Sequence, residues 1–454
     1  MSGSRAGHVL EGRGAPVSRR LRRRRVSALG TALVVVAGLS ACSGDDSANA
    51  SGDGEDVTLR VNLFGRFGYA DLYEEFERDH PGVTIVETAE GDLGQYNTQL
   101  TQRIAAGSGA GDVVAIEEGQ VVNFLQNPDN FVNLQDFGAA DERDQWLDWK
   151  FDQATTADGA YTIGLGTDVG GLAMCYRPDL FEQAGLPTDR EEVGALWESW
   201  DDYIDVGEQF QEGIGDDAVH FVDSATNTYN SVLMQSAGAD PGYTYFDEDE
   251  ELVVDSNPAV REAWDTAVAM DAAGLSAELR SFSTEWNAGF KNGNFATIAC
   301  PAWMTGYIQE QSGEENAGNW DITTVPGGGG NWGGSFLAVP TVSENQELAV
   351  ELVQFLTNAD GQLAAFEAEG NLPSNPTLYE TSELQSATNE YFSDAPVGQL
   401  FVAGASQLEP VYLGSKNQVV RDAVENVLRG VEAGDLSPED GWQDAIEAAE
   451  QAAA

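Results

Sequence analysis

Residues able to make or break bonds are poorly placed for catalysis in this 454-residue chain. The three histidines are His8, His80 and His220, and His8 falls in the arginine-rich start, so neither a zinc cluster nor a catalytic histidine constellation is available. No serine stands in a Gly-x-Ser-x-Gly elbow. Gly328, Gly330 and Gly333 spell Gly-x-Gly-x-x-Gly, but they precede an expected strand over 335–339 instead of opening a helix after one. No Lys-Ser/Thr follows them, so they are not a phosphate loop either. With 76 Asp and Glu, chance carboxylate pairs are guaranteed, and spacing identifies no glycosidase pair. What remains is chemistry of holding. Tryptophan faces beside Asp, Asn, Glu and Arg can hold a ligand that has both apolar faces and hydrogen-bonding groups.

Trp303 follows an expected strand over 295–299 and Pro301, a position from which an indole can be aimed into a cleft; core packing is the alternative. Trp332 has four glycines before it and two after, a poor core context. Trp286 opens the segment before Phe290 and fits core or cleft. Phe64, Arg66 and Tyr69 follow the first strand, and Glu117 and Glu118 follow the strand over 113–116. Both sets therefore stand at carboxyl ends of strands, where open α/β folds bind ligands. For the acids a solvated surface is the rival reading, and for Phe64 the core. Asn227, Tyr229 and Asn230 open a helix, with capping the plainer role for Asn227.

The elements that must position these residues alternate. Residues 57–64 read as a strand, 72–77 as a helix stopped by His80-Pro81-Gly82, 83–86 as a strand and 96–106 as a helix. Expected strands follow over 161–166, 171–176, 220–222 and 295–299, and expected helices over 197–210, 229–236, 258–272, 347–356, 419–432 and 442–452. The alternation implies α/β units with mostly parallel strands. No repeat and no long interdomain linker is visible, which favours lobes joined by several crossings.

The ends and the charge speak of location. Arg19, Arg20 and Arg22 to Arg25 precede an apolar run ending at Leu39, the layout of an export signal too short to span a bilayer. Leu39-Ser40-Ala41-Cys42 then gives way to a Gly/Ser/Asp-rich stretch with linker composition. This looks like a bacterial lipobox in which Cys42 carries acyl chains; an ordinary signal with a chance cysteine is the alternative. Either general or twin-arginine export fits. Cys175 and Cys300 are then an even pair in an oxidising compartment, to be read as a disulfide or as two buried thiols. Beyond residue 41 the chain holds 14 basic and 75 acidic residues, a net charge of -61. Such a surface repels nucleic acid and anionic lipid and suits salty surroundings.

Taken in order, the lipobox, the tether, the strand and the helix closing on Phe76-Glu77-Arg78-Asp79-His80-Pro81-Gly82-Val83 resemble the extracellular solute-binding proteins of carbohydrate ABC importers. Gly164 to Leu172 running into Tyr176-Arg177-Pro178-Asp179-Leu180 is similar to that family's first crossing between lobes. Phe290 to Thr297 followed by Pro301-Ala302-Trp303 resembles the segment presenting a sugar-stacking tryptophan. Cys300 to Met304 and Gly327 to Phe336 look most like actinobacterial cellobiose and cello-oligosaccharide receptors, with xylobiose and chitobiose receptors as close relatives.

The resemblance implies an α/β, two-lobed periplasmic-binding-protein-like fold with a hinge of several crossings. It implies a signal peptide over 1–41, a tether over 42–55, a first lobe over 56–169 and 322–372, and a second over 170–321 and 373–454. It places an acid of the Glu117 loop on sugar hydroxyls, Asp168 in the first crossing, and Asn417 and Gln418 in a region that contributes contacts. It further implies a lipid-anchored monomer on the extracytoplasmic face that delivers an oligosaccharide to ABC permease subunits, with no cofactor and no catalysis. A lipid-anchored glycoside hydrolase is the competing class.

Overall fold

The computed structural model describes residues 56–91 and 93–454. The export signal, Cys42 and the tether lie outside the described residues. Strand β1 (Val57–Phe64) pairs in parallel with β2 (Val83–Glu90) and β3 (Val113–Glu117). The sequence Val-Val-Ala-Ile makes β3 buried on both faces, as a strand covered by helices on each side must be. Strand β4 (Leu165–Tyr176) is twelve residues long and buried throughout.

In the second half, β5 (His220–Val222) lies parallel to β6 (Phe295–Pro301), while β7 (Asp321–Thr323) pairs with the end of β4. Strand β8 (Asn331–Ala338) runs antiparallel to both β3 and β4. The order is β2-β1-β3-β8-β4-β6-β5, with β7 off β4.

Two halves share β4. Its first part pairs with β8, through register shifts between Gly166 and Asp168 and between Val169 and Gly171. Its second part pairs with β6 and β7. A third passage runs alongside, since Val169 N–H donates to Leu372 O at 2.9 Å. One core packs Leu59, Val61, Leu63, Val113, Leu337 and the helix Gln346–Thr357; another packs Met174, Tyr203, Phe221, Ile298 and Trp320. The molecule is thus two-lobed, with the sheet continuing from one lobe into the other. The approach of β4 to β8 is so close that a Cβ on Gly170 would stand 1.9 Å from Trp332 O, which only glycine tolerates.

Cys175 and Cys300 are disulfide-bonded and tie β4 to β6. Two helices matter for the site. Helix Ala225–Ala239 starts at Ser224, whose Oγ accepts from Asn227 N–H at 3.2 Å. Helix Asn417–Glu432 buries Val420, Val424, Leu428 and Val431, a stripe at helical spacing that leaves Arg421, Glu425 and Arg429 on another face.

Asp223, just past β5, is fully buried. Its Oδ2 accepts from Trp286 Nε1 at 2.7 Å and Asn227 Nδ2 at 3.1 Å, and its Oδ1 meets no described donor. Burial pushes its pKa up to about 7 against those bonds. The folded chain therefore keeps this proton up to about pH 7, whereas an unfolded Asp releases it near pH ~4. Its stabilising contribution is complete below the unfolded value and is lost as pH rises through 7. The urea midpoint of the wild type should accordingly fall between pH 5 and 7.5 more steeply than that of Asp223→Asn; equal slopes would refute this.

Candidate functional site

Polar groups from both lobes converge where β3 ends and β8 begins, beside the middle of β4. Glu118 opens a helix (Glu118–Leu125) directly after β3 and is buried, as is Lys150 on helix Asp148–Gln153. Lys150 Nζ donates to Glu118 Oε2 at 2.8 Å and lies 4.2 Å from the centre of the Phe336 ring. The other oxygen of Glu118 accepts from Asn331 Nδ2 at 2.7 Å, and Asn331 Oδ1 accepts from Gly170 N–H at 2.8 Å. One asparagine on β8 therefore connects the first lobe to the shared strand. Asp168 is buried beside this network, accepting from Thr167 Oγ1 at 2.6 Å. Burial raises its pKa, and the charge of Lys150 opposes the rise.

Glu117 faces the other lobe. Its Oε2 is buried without a described partner, and burial raises its pKa while Arg421 on helix Asn417–Glu432 pulls it down. Arg421 Nε donates to Glu425 Oε1 at 2.8 Å; burial works against its charge, but Glu425 and Glu117 hold the guanidinium protonated. Asn230 Nδ2 donates to the same Glu425 oxygen at 2.9 Å. Arg421, Glu425 and Asn230 thus form one hydrogen-bonded chain joining two helices of the second lobe, and the charge of Arg421 acts on Glu117 at the end of β3.

Trp303 follows β6 and precedes helix Met304–Ser312. It is partly buried, and its Nε1 donates to Trp332 O at 3.1 Å. Its ring stands edge-on to Trp332, with centroids 6.4 Å apart. Trp332 lies on β8, which begins at Asn331 and not at the expected 335, and the indole is buried in a core cluster despite its flanking glycines. Arg66 is taken up by an ion pair with Glu369 at 2.8 Å and a longer one with Glu310 at 3.5 Å. Phe64 packs half-buried against Phe67 and Tyr96.

Three expected contacts are buried behind the site. Trp286 is fully buried on helix Thr284–Asn292 against Phe290, held by its bond to Asp223. Tyr229 is fully buried, its hydroxyl 3.1 Å from that of Tyr245. Asn417 is buried and accepts from Thr244 Oγ1 at 2.9 Å. Trp286 and Asn417 fall on the buried stripes of amphipathic helices, whereas the helix of Tyr229 is buried all round from Ala225 to Leu233.

A cavity of about 180 Å³ opens between the lobes, lined by Glu118, Trp149 and Gln153 from one side and Met234, Gln235 and Gln407 from the other. The Oε1 of Gln153 is buried and unpartnered. None of Trp149, Gln153, Gln235 and Arg421 was singled out from the sequence. The two lysines outside this site, Lys291 and Lys416, stand at exposed ion pairs or chain ends, so a lysine among the aromatics of Asp148-Trp149-Lys150-Phe151 was the available signal.

Such an arrangement, two lobes on a shared strand with polar and aromatic groups at their junction, is that of a receptor. The sequence matches the bacterial extracellular solute-binding proteins over residues 71–391, and the chain belongs to that family. A crystal structure of an extracellular solute-binding protein family 1 member is 37 % identical and superposes with a TM-score of 0.77, over 88 % of this chain and all of that one. The arabinooligosaccharide-binding protein of Halalkalibacterium halodurans is 27 % identical over 62 % of this chain; the chain spans 61 % of that relative's length. The ABC transporter associated binding protein of B. animalis subsp. lactis, solved with β-1,6-galactobiose, shares the fold at 19 % identity, with a TM-score of 0.73 over 88 % of this chain and 99 % of that one. No helix among the described residues is long and apolar enough to cross a membrane.

Proposed function

We propose that this chain is the substrate-capturing component of a sugar ABC importer, binding an intact oligosaccharide between its lobes and passing it to membrane permease subunits. The observation that carries this reading is the cavity between the lobes, lined by Glu118, Trp149 and Gln153 on one side and by Met234, Gln235 and Gln407 on the other. Groups split in this way contact a ligand fully only when the lobes are closed, and that difference in contact drives closure. Substrate contacts are assigned to Trp303, Trp332, Glu117, Asp168, Asn230 and Arg66, with Phe64 at the rim. Trp286, Tyr229 and Asn417 act behind them as supports.

In this reading the first lobe comprises 56–169 and 322–372, and the second 170–321 and 373–454. Cys42 carries the lipid that holds the monomer on the extracytoplasmic face of the membrane, and no bond of the sugar is cleaved. The ligand is cellobiose or a cello-oligosaccharide, on the motifs around Trp303 and Trp332. An arabino-oligosaccharide is the second candidate, favoured by the relative named for that ligand.

Calorimetry with cellobiose, xylobiose, chitobiose, maltose and arabino-oligosaccharides, followed by chromatography of the recovered sugar, tests the reading. Saturable binding with the sugar returned unchanged is expected; release of new reducing ends would overturn it in favour of a hydrolase. Trp303→Ala should weaken binding at least about tenfold with the fold intact by circular dichroism. Unchanged affinity would retire Trp303 as a platform.

A further inference from the structure

Phe282 is the most exposed large apolar side chain among the described residues, with 54 % of its surface in water. Its backbone stands at φ +63°, a region that a bulky residue rarely occupies. Backbone strain of this kind clusters at ligand-binding and active sites, and here it falls on an aromatic residue that stands in water. The surroundings hold the residue in place. Ser283 caps the next helix by accepting from Trp286 N–H at 3.1 Å, and Ser283 N–H donates to Arg280 O at 3.0 Å. The Phe282 ring rests on Trp286 and Tyr307, with centroids 5.2 and 5.7 Å away. It also lies 6.5 Å from Trp303 with only 19° between the planes.

We infer that Phe282 is an outer platform that takes a further sugar ring, so that the receptor reads chain length. This rests on the reading of Trp303 as the inner platform. Two nearly parallel aromatic rings with centroids 6.5 Å apart offer two apolar surfaces to one ligand, and a glycan chain presents an apolar C–H face on each unit. A disaccharide is served by the groups between the lobes; a third or fourth unit reaches the exposed ring.

The test is titration of wild type, Phe282→Ala and Phe282→Tyr with cello-oligosaccharides and arabino-oligosaccharides of two to five units. In the series that binds, wild-type affinity should rise from two units to four. Phe282→Ala should lose about tenfold on four units while changing less than twofold on two, and Phe282→Tyr should restore the gain. Equal loss at every length, or no loss, overturns the outer platform and leaves the receptor reading standing. Absence of wild-type binding to both series removes the receptor reading for these sugars and the outer platform with it. Near-wild-type melting temperatures for Phe282→Ala keep a folding defect out of the comparison.

Discussion

Lys150→Met is expected to cost about 3–5 kcal/mol of folding stability at pH 8 and much less at pH 5. Lys150 is fully buried, and it is the cation set among Glu118, Asp168 and Glu117. Methionine matches its volume but leaves Asp168 buried without its main counter-charge, and Glu118 without its ion-pair partner. Burial already raises the pKa of Asp168 and of Glu117, and losing the lysine raises both further. Their folded forms then hold protons that the unfolded chain releases near pH ~4, which places the deficit at high pH and relieves it as pH falls. Guanidinium unfolding at the two pH values measures this directly. A cost below about 1 kcal/mol at pH 8, or one independent of pH, would mean that the lysine is not the counter-charge of the network.

Removing both cysteines, Cys175→Ala with Cys300→Ala, should lower stability by about 4 kcal/mol, because the bond closes a loop of 125 residues in the unfolded chain. Wild type unfolded in the presence of reductant should match the variant, and both should bind sugar within twofold of oxidised wild type, since the bond lies between β4 and β6 inside one lobe. Identical unfolding midpoints for the oxidised wild type and the double variant would refute a stabilising bond.

Local pattern made much of the scaffold readable. Residues 57–64 alternate and form β1 over those positions, and the helix expected over 347–356 spans Gln346–Thr357. Glycine misled where burial, not flexibility, selects it. Two strands were expected over 161–166 and 171–176, whereas β4 runs unbroken from Leu165 to Tyr176 with Gly166, Gly170 and Gly171 inside it. Those glycines admit Lys150, Trp332 and Leu372 at contact distance, which no period in the sequence announces.

The site divides the same way. Glu117, Asp168 and Trp303 stand at strand ends or within the crossing, and their topological position was legible. Arg421 and Lys150 derive their importance from partners on remote segments, and such pairings exist only after the lobes pack. Phe282 carries no signal in sequence at all, because a left-handed backbone at a phenylalanine is imposed by the neighbouring cap and rings.

The shared strand has a further consequence for how this molecule can be taken apart. Because β4, the approach to β8 and the passage at Leu372 all run between the lobes, each lobe is assembled from stretches far apart in the polypeptide. A protease that nicks one connection leaves the others, and no single truncation yields a free-standing lobe. Neither lobe is a module that can be moved intact into another protein, so the two can change only as a matched pair.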